Sequence, residues 1–279
     1  MKNILALGTA ACSIVEGLKK YKVYNIYKIS NNTNKAETSF KIPELETAEQ
    51  YENLEVASKI SFLKKIKEEV TFFVSGASKS SALSLRILEF LHKKQVAIKV
   101  VYFKPEVDFL SEEQFMQERL TRGVLQEYAR SGLFQEITLI CTKTIESLIE
   151  SINVMDYYGQ INTVFCDTYH MIEVFKNTKP VMSTFSKLRE SCRIKTIGVS
   201  SVSCEDKVLY PFKQEVEVVY YYGINEDKLK EQGDLFRALA TSVKGRMNSE
   251  TKAYFGIYPT KYEHDYVYVE YYSPKTQQT

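Results

Sequence analysis

The chain has 279 residues, of which 44% are hydrophobic and 13% aromatic, enough for a large core in one or two domains. Its formal net charge of +2 at pH 7 gives no electrostatic reason to expect binding to nucleic acid or to an anionic membrane. No apolar run approaches the ~20 residues of a membrane-spanning helix, and the apolar N-terminal stretch is interrupted by Gly8 and Thr9. We therefore expect a soluble, cytoplasmic protein.

Reactive side chains are few and scattered. The five cysteines contain no CxxC pair, and most lie in apolar runs, so we expect buried free thiols in a reducing compartment. The three histidines, at positions 92, 170 and 264, share no ligand spacing, and a GxSxG motif is absent. The sequence therefore predicts no catalytic residue and no metal site.

Strand and helix patterns alternate through the first 200 residues. A polar stretch at residues 30–49 predicts a loop, and Ser111, followed by Glu112 and Glu113, predicts a helix N-terminus. The alternation predicts a doubly wound, mostly parallel sheet, in which ligands bind beyond the carboxyl ends of the strands. The predicted strands are residues 2–7, 23–29, 70–74, 96–103, 136–141 and 193–200, and the predicted helices are residues 14–20, 51–67, 80–93, 111–131, 144–152 and 161–176.

The last third of the chain predicts a smaller α+β unit. Its tyrosine-rich strands, such as YYYG at 220–223, lack a basic surround, so packing or an interface is favoured over stacking on nucleic-acid bases. We expect an α/β domain at residues 1–160, a connecting helix at 161–178 and an α+β domain at 179–279. The predicted elements are strands 215–222, 253–258 and 266–272, and a helix over 227–247 around Gly233.

The stretch VTFFVSGASKSSALSLRILEF, residues 70–90, combines a strand, a Gly/Ser/Lys turn and a helix, which is typical of nucleotide-binding loops. It does not match the P-loop pattern GxxxxGK[ST], because Ser78 stands for the second glycine and Phe73 for the first. Two interpretations stay open, an anion site at the helix N-terminus and a turn with serine caps. The groups available to an anion are the backbone at Gly76 and the hydroxyls of Ser78, Ser80 and Ser81.

The order of motifs along nearly the whole chain resembles the tubulin/FtsZ superfamily. LALGTAACSIVEGL stands where the family has its first glycine-rich loop, and FFVSGASKSSALSLRILEFL stands at its GGGTGTG phosphate loop. VVYFKPEVDF, ITLICTKTIESLI and INTVFCDTYHMIEVFKN resemble the proline-containing loop, the next strand and loop, and the central helix. TFSKLRESCRIKTIGVSS, VEVVYYYG and KAYFGIYPTKYEHDYVYVEYY resemble the C-terminal part.

The resemblance implies a tubulin/FtsZ-like fold and a site for GTP or GDP. By position Asp167 matches an acid of the central helix that contacts guanine in the family, although a solvated helix residue is an equal alternative. Lys79 would add a positive charge where Ala77 and several serines replace the family's glycines. The residues implied to bind the nucleotide are Gly8, Thr9, Ser13, Gly76, Ser78, Lys79, Ser80, Ser81, Thr144 and Asp167.

The loop after the central helix departs most clearly from the family. Members carry N-x-D-F-x-D there, and those acids reach the nucleotide of the next subunit along the filament. In this chain the acidic positions fall on Thr184 and Lys187, which cannot act as carboxylate bases. The resemblance therefore implies that GTP hydrolysis is absent or very slow, unless a relocated acid such as Glu190 replaces it.

Two functions are consistent with these patterns. The first is a cytoskeletal protein that self-assembles head to tail into filaments and binds guanine nucleotide with little or no hydrolysis, since such a heterologous contact generates open filaments. The alternative is a scaffold module of the same fold that docks on another protein and has lost both nucleotide binding and polymerisation.

Overall fold

Strands and helices alternate through the first two thirds of the chain in the computed structural model, which describes residues 1–34 and 36–278. The helices are α1 Thr9–Glu16, α2 Ala48–Glu52, α3 Ser61–Lys65, α4 Ser84–Lys93, α5 Glu112–Arg130, α6 Thr142–Glu146, α7 Tyr157–Lys176, α8 Glu226–Glu231 and α9 Leu235–Gly245. The strands are β1 Lys2–Leu7, β2 Tyr24–Ser30, β3 Ser39–Lys41, β4 Glu69–Ser75, β5 Ala97–Lys104, β6 Glu136–Cys141, β7 Met182–Ser183, β8 Ile194–Ser200, β9 Lys207–Val208, β10 Glu217–Asn225, β11 Lys252–Thr260 and β12 Tyr266–Ser273.

Within the described residues, twelve strands form one sheet in the order β3-β2-β1-β4-β5-β6-β8-β12-β10-β11-β7, with β9 beside β8. Strands β1 to β6 pair in parallel. Strand β8 continues this parallel sheet through Ile194 and Lys195, which pair with Ile137 and Thr138, and it then pairs antiparallel with β12. The predicted mixed α/β fold with a mostly parallel sheet is confirmed, and the domain boundaries at residues 160 and 178 stay a prediction.

Helices cover both faces of the parallel part of the sheet. Alternate residues of β4 separate into two cores, because successive side chains of a strand point to opposite faces. Phe72 packs with α4 and α5 on one face, while Phe73 packs with α1 and α7 on the other. A third core lies between the C-terminal strands and α9, around Tyr220, Tyr222 and Leu239.

Helix α7 packs along the face that the two parts of the sheet share. Near its middle, the ring of Phe165 meets Phe73 at a centroid distance of 6.1 Å. Near its end, Phe175 stacks on Tyr221 of β10 at 6.2 Å. This helix is therefore central in the fold, and it begins at Tyr157, four residues before its predicted start.

Several predicted helices are interrupted in the structure. The predicted helix over residues 51–67 is replaced by α2, a 3-10 turn at Ala57–Lys59 and α3. Its apolar residues, from Leu54 to Ile66, recur at every third position, and that spacing matches the 3-10 period of 3.0 as well as an α-helix. Likewise, the predicted helix 80–93 starts with a 3-10 turn at Lys79–Leu83, and the predicted helix 227–247 is broken at residues 232–234.

Short strands were the other elements that periodicity missed. Strand β3 lies within the predicted loop 30–49, and the two-residue strands β7 and β9 carry too few residues to show alternation. The tyrosines at positions 220–222 are buried, as the packing interpretation predicted. All five cysteines are buried and free. No helix among the described residues combines the length and apolarity needed to cross a membrane.

Candidate functional site

The order in which the chain adds strands to the sheet reverses at β1. The predicted site lies at this point. Strand β2 pairs on one side of β1 and β4 on the other, so the carboxyl ends of β1 and β4 face a crevice where ligands bind in open α/β sheets. Two cavities open there, with volumes of about 610 Å³ and about 550 Å³. They adjoin, since Thr9, Ala10, Ser75 and Gln114 line both.

We call the larger cavity the acidic cavity and the smaller one the aromatic cavity. The acidic cavity is bordered by the turn after β1, the turn after β4, the 44–49 segment and the first turns of α5. The aromatic cavity is bordered by the loop after β5 and the start of α7, with Phe103, Phe109, Tyr157, Tyr158 and Asn162 among its lining residues.

Gly8 lets the two turns approach each other. It precedes α1 with a φ of 86°, a conformation that side chains other than glycine rarely adopt. A Cβ atom at this position would lie 3.3 Å from the Ser80 Oγ atom. The turn after β1 and the 76–81 turn therefore come close together at Gly8 and Ser80.

The 76–81 turn satisfies its own polar groups. The hydroxyls of Ser78 and Ser80 are 2.8 Å apart, and the Ser81 hydroxyl donates to the Gly76 carbonyl at 3.0 Å. Ser80 and Ser81 are buried. Among the described residues, those with positive φ lie outside this turn, so its N–H groups do not form the αR-αL nest that holds anions. These hydroxyls bond to each other and to a carbonyl, and Ser78 makes no capping hydrogen bond, so the turn matches neither the nest nor the serine-capped alternative.

The Lys79 ammonium is engaged with two groups at the edge of the acidic cavity. Its ammonium donates to the Glu46 carbonyl at 2.6 Å and lies 3.9 Å from the Glu113 carboxylate. Of the described residues that line the acidic cavity, the charged ones are this lysine and three glutamates, Glu44, Glu49 and Glu113. Carboxylates outnumber the ammonium, so the field in the cavity opposes a polyanion.

Three solved structures share this arrangement of elements with the chain. FtsZ of M. jannaschii superimposes with a TM-score of 0.70 at 10% identity, over 98% of this chain and 88% of that one. CetZ2 of Haloferax volcanii gives 0.72 at 12% identity, over 97% and 92%. TubZ of Bacillus thuringiensis serovar israelensis gives 0.73 at 9% identity, over 98% and 88%. The chain has the FtsZ/tubulin fold. No protein-family model matches it, and no curated protein is detected as a relative by sequence.

In this FtsZ/tubulin fold the aromatic cavity has the chemistry of a site for a flat, polar ring. The Tyr158 ring is 71% exposed and lines the cavity, while Asn162 offers an amide that both donates and accepts. Tyr157 is fixed by its hydroxyl, which donates to Glu146 at 2.9 Å. Burial and the neighbouring Glu146 carboxylate raise the pKa of Tyr157 to about 12, so its hydroxyl stays protonated and continues to donate.

Six of the ten predicted site residues line these cavities. They are Gly8, Thr9, Ser13, Ser78, Lys79 and Ser80. Gly76 and Ser81 line neither cavity. Ser81 is buried, and a Cβ at Gly76 would lie 1.8 Å from the Tyr102 hydroxyl. Thr144 is on α6 outside both cavities, where its carbonyl accepts from Ser147.

Asp167 is also outside both cavities, and its contact with a guanine base stays a prediction. Its carboxylate accepts from Lys20 at 2.5 Å and from Tyr21 at 2.7 Å, beyond the end of α1. Five residues separate Asp167 from Asn162, which places it about 140° around the helix from that amide. Tyr158 and Asn162 line the aromatic cavity but were not among the predicted residues. The signal for them is their position at the helix end nearest the carboxyl ends of the strands.

The two cavities offer different chemistry to a ligand. The aromatic cavity has Tyr158, Asn162 and Glu106 among its polar lining residues. The acidic cavity does not suit a triphosphate, because the serine hydroxyls are bonded within the turn and the glutamates carry the same sign as phosphate. Among the residues described, no group of three or more His, Cys, Asp or Glu side chains could hold a metal ion to offset that charge.

The segment after α7 lies at the opposite end of the molecule from the cavities. Lys2, at the start of β1, contacts Glu173 near the end of α7, and the 20 residues of this helix span about 30 Å. Thr184 is paired with the edge of β11, since its N–H donates to the Phe255 carbonyl and its hydroxyl accepts from the Phe255 N–H. Lys187 pairs with Glu190 at 2.8 Å.

Proposed function

We propose that the protein is a cytoskeletal protein that assembles head to tail into filaments and does not depend on GTP hydrolysis. The observation that carries this proposal is apolar surface at both ends of the molecule. Large apolar side chains are exposed around the cavities and again after α7. They are Phe109, Met116, Leu120, Val154 and Met155 at the first end, and Val181, Met182 and Phe185 at the second.

Exposed apolar side chains in such numbers are typical of interaction sites. A contact between two unlike ends is heterologous and repeats without closing, so it generates a filament. The fold supports the same proposal, since solved structures with this fold include a protofilament of CetZ2 with GTPγS bound and a GTPγS-form protofilament of TubZ.

We propose that GTP hydrolysis is absent because of the residues at the second end, after α7. Thr184 and Lys187 stand where the resemblance implies acids, and Thr184 is already engaged with β11. The relocated acid considered from the sequence, Glu190, is bound to Lys187. Neither Thr184 nor Lys187 has a carboxylate that could orient a water molecule, and the Glu190 carboxylate lies beside a lysine.

For the nucleotide, we propose that the guanosine part is bound in the aromatic cavity and that the phosphates add little to the affinity. GTP, GDP and guanosine would then bind with similar affinity, and with Kd values set by the base. Calorimetric titration of the three ligands at one salt concentration tests this directly. GTP binding much tighter than guanosine would contradict it.

The experiment that tests assembly is negative-stain electron microscopy with light scattering of concentrated protein, with GTP, with GDP and without nucleotide. We expect filaments in all three conditions and no phosphate release above that of the buffer. The variant that tests the contact is Met155→Glu, which places a charge on a side chain that is 94% exposed. It should abolish filaments without unfolding the chain. Monomers in every condition would refute the proposal.

The second candidate is the scaffold module that neither polymerises nor binds nucleotide. The 76–81 turn favours it, because the hydroxyls of Ser78, Ser80 and Ser81 are engaged within the turn and three glutamates line the cavity beside it. Monomeric protein that binds neither GTP nor guanosine, before and after Lys79→Ala, would support the module over the filament.

A further inference from the structure

Helix α5 packs on the sheet with a mostly polar face. Its buried residues are Glu118, Thr121, Arg122, Leu125, Gln126 and Ala129. Four of these six are polar or charged, and burial of such groups costs free energy unless each one is hydrogen-bonded. An apolar face of the same shape would pack on the sheet without that cost. The partners of these side chains therefore indicate what the polar face does.

One side of this face holds the residues that follow β12. We call residues 274–278 the strap. The Gln126 side chain bonds both backbone groups of Gln277, since its Oε1 atom accepts from the Gln277 N–H at 2.7 Å and its Nε2 atom donates to the Gln277 carbonyl at 3.2 Å. The Arg122 guanidinium donates to the same carbonyl at 2.8 Å. Gln277 is buried, so the strap closes tightly against α5.

The other side of the same face holds the 76–81 turn. The hydroxyls of Thr121 and Ser81 are 3.3 Å apart, and the Gln117 amide donates to the Ser81 hydroxyl at 3.3 Å. Other residues of this turn line the acidic cavity. A ligand or partner that enters the cavity therefore lies against a turn that α5 holds in place.

Buried side chains connect the turn to the strap. Arg122, which bonds the strap, also donates to the Glu118 carboxylate at 2.7 Å. The Tyr102 hydroxyl of β5 donates to the same carboxylate at 3.0 Å. A Cβ at Gly76, the first residue of the turn, would lie 1.8 Å from the Tyr102 hydroxyl, so the turn rests on this ring. Tyr102, Glu118 and Arg122 are all buried, and they form one continuous path between the turn and the strap.

We propose that the strap is a conformational device that couples the antiparallel part of the sheet to the acidic cavity. With the strap closed, Arg122 and Gln126 fix the position of α5, so Thr121 keeps its contact with the turn. Release of the strap leaves buried polar groups without partners, and α5 and the turn shift to satisfy them. Conversely, a ligand or partner that displaces the turn loosens the strap, because coupling between two sites is reciprocal. This inference needs neither nucleotide nor filaments, so it goes beyond the proposed function.

Amide hydrogen exchange of dilute protein without nucleotide tests the coupling in both directions. Gln126→Leu keeps the approximate size of the side chain and removes its two bonds to Gln277. The distant reporter for this variant is the Ser81 N–H, which donates to the Ser78 carbonyl at 2.9 Å. Thr121→Val removes the hydroxyl at the turn, and its distant reporter is the Gln277 N–H. We expect each distant amide to exchange about fivefold faster or more, which is the usual size of coupling between sites.

Two controls separate coupling from a general loss of stability. Glu127→Gln changes the neighbour of Gln126 on α5, but its side chain is 55% exposed and pairs with Arg130. It should leave both reporter amides within about twofold of wild type. Ile172→Val removes a buried methyl group from α7, so it should lower overall stability and speed the exchange of all slow amides alike. Unchanged circular dichroism shows that each variant is folded.

Two results would overturn the inference. If Gln126→Leu speeds exchange in the strap and leaves the Ser81 N–H as in wild type, the strap is an anchor without a connection to the turn. If exchange rises evenly along the chain, as expected for Ile172→Val, the variant has only lost stability. Should Gln126→Leu not fold, Thr121→Val and the Gln277 N–H decide the question alone. Each result leaves the proposed function untouched, and a failure to form filaments leaves this inference untouched.

Discussion

The Glu270 carboxylate lies 3.0 Å from the Lys195 ammonium, on the paired strands β12 and β8, and both side chains are almost completely buried. Glu136 contacts the same ammonium at 2.7 Å, and Lys176 contacts Glu270 at 2.9 Å. Tyr221 and Tyr272 donate to the other carboxylate oxygen. This network lies where the parallel and antiparallel parts of the sheet join, so it links β6, β8, β12 and α7.

Removal of one charge from this network should be strongly destabilising. Lys195→Met leaves Glu270 and Glu136 without their shared partner, and a broken buried pair costs about 3–5 kcal/mol. Lys93→Met is the control, since the Lys93–Glu89 pair is exposed and contributes about 0–1 kcal/mol. Urea unfolding of the two variants measures both values. Equal shifts would show that the buried network contributes no more than a surface pair.

The same network predicts how stability depends on pH. Burial alone raises the pKa of the Glu270 carboxyl, but Lys176 and Lys195 outweigh it and hold that pKa below its usual range. Below about pH 4.5, where a free glutamate takes up a proton, the unfolded chain therefore binds more protons and stability falls with falling pH. Burial opposes the charge of Lys195, but Glu136 and Glu270 raise its pKa, so its contribution is lost above about pH 10.5.

Urea unfolding from pH 3 to pH 7 tests the acidic side of this window. The difference in unfolding free energy between wild type and Glu270→Gln should be constant from pH 5 to pH 7 and should shrink below about pH 4.5, since only the wild type loses the charge there. A difference that stays constant down to pH 3 would mean that Glu270 is not the titrating group.

Replacement of Gly76 by alanine should lower the stability of the protein, and replacement of Gly123 by alanine should raise it. A Cβ at Gly76 would lie 1.8 Å from the buried Tyr102 hydroxyl and 2.7 Å from its Cζ atom, and such overpacking costs about 1–3 kcal/mol. Gly123 lies within α5 with no atom within 4 Å of its ideal Cβ, so Gly123→Ala should stabilise by about 0.5–1 kcal/mol. Thermal unfolding separates the two, and a destabilising Gly123→Ala would contradict this account of the helix.

Elements that depend on local chemistry could be predicted from the sequence. Helix α5 begins where Ser111 indicated, because its hydroxyl accepts from the Gln114 N–H and the Gln114 side chain accepts from the Ser111 N–H. The strands from β4 to β6 were equally clear, since buried parallel strands are continuous apolar runs. The 51–67 region failed because spacing by three residues does not distinguish an α-helix from 3-10 turns.

The candidate site was predictable only in part, for a different reason. Gly8 and the serines of the 76–81 turn lie at carboxyl ends of strands, which the alternation of elements already implied. The direction of Asp167 depends on how α7 is rotated against the sheet, and the sequence contains no local signal for that rotation. The glutamates of the acidic cavity come from α5 and from the 44–49 segment, so their convergence is a property of the tertiary structure.

These glutamates lead to a prediction about nucleotide affinity. Replacement of Glu44, Glu49 and Glu113 by glutamine removes three negative charges from the lining of the acidic cavity. Two unit charges 8 Å apart in water interact by about 0.5 kcal/mol, and salt screens part of this for exposed groups. For the several charges of a triphosphate we expect about a tenfold gain in GTP affinity. Guanosine, which is uncharged, should bind the triple variant as it binds wild type.

Calorimetric titration of both ligands at one ionic strength measures this difference. Glu127→Gln is the control, since this exposed glutamate lies on α5 about 21 Å along the helix from Glu113 and its charge is screened from the cavity. An equal gain for guanosine would indicate a change in cavity shape rather than in charge. A triple variant with unchanged GTP affinity would mean that the field of the three carboxylates does not act on the ligand.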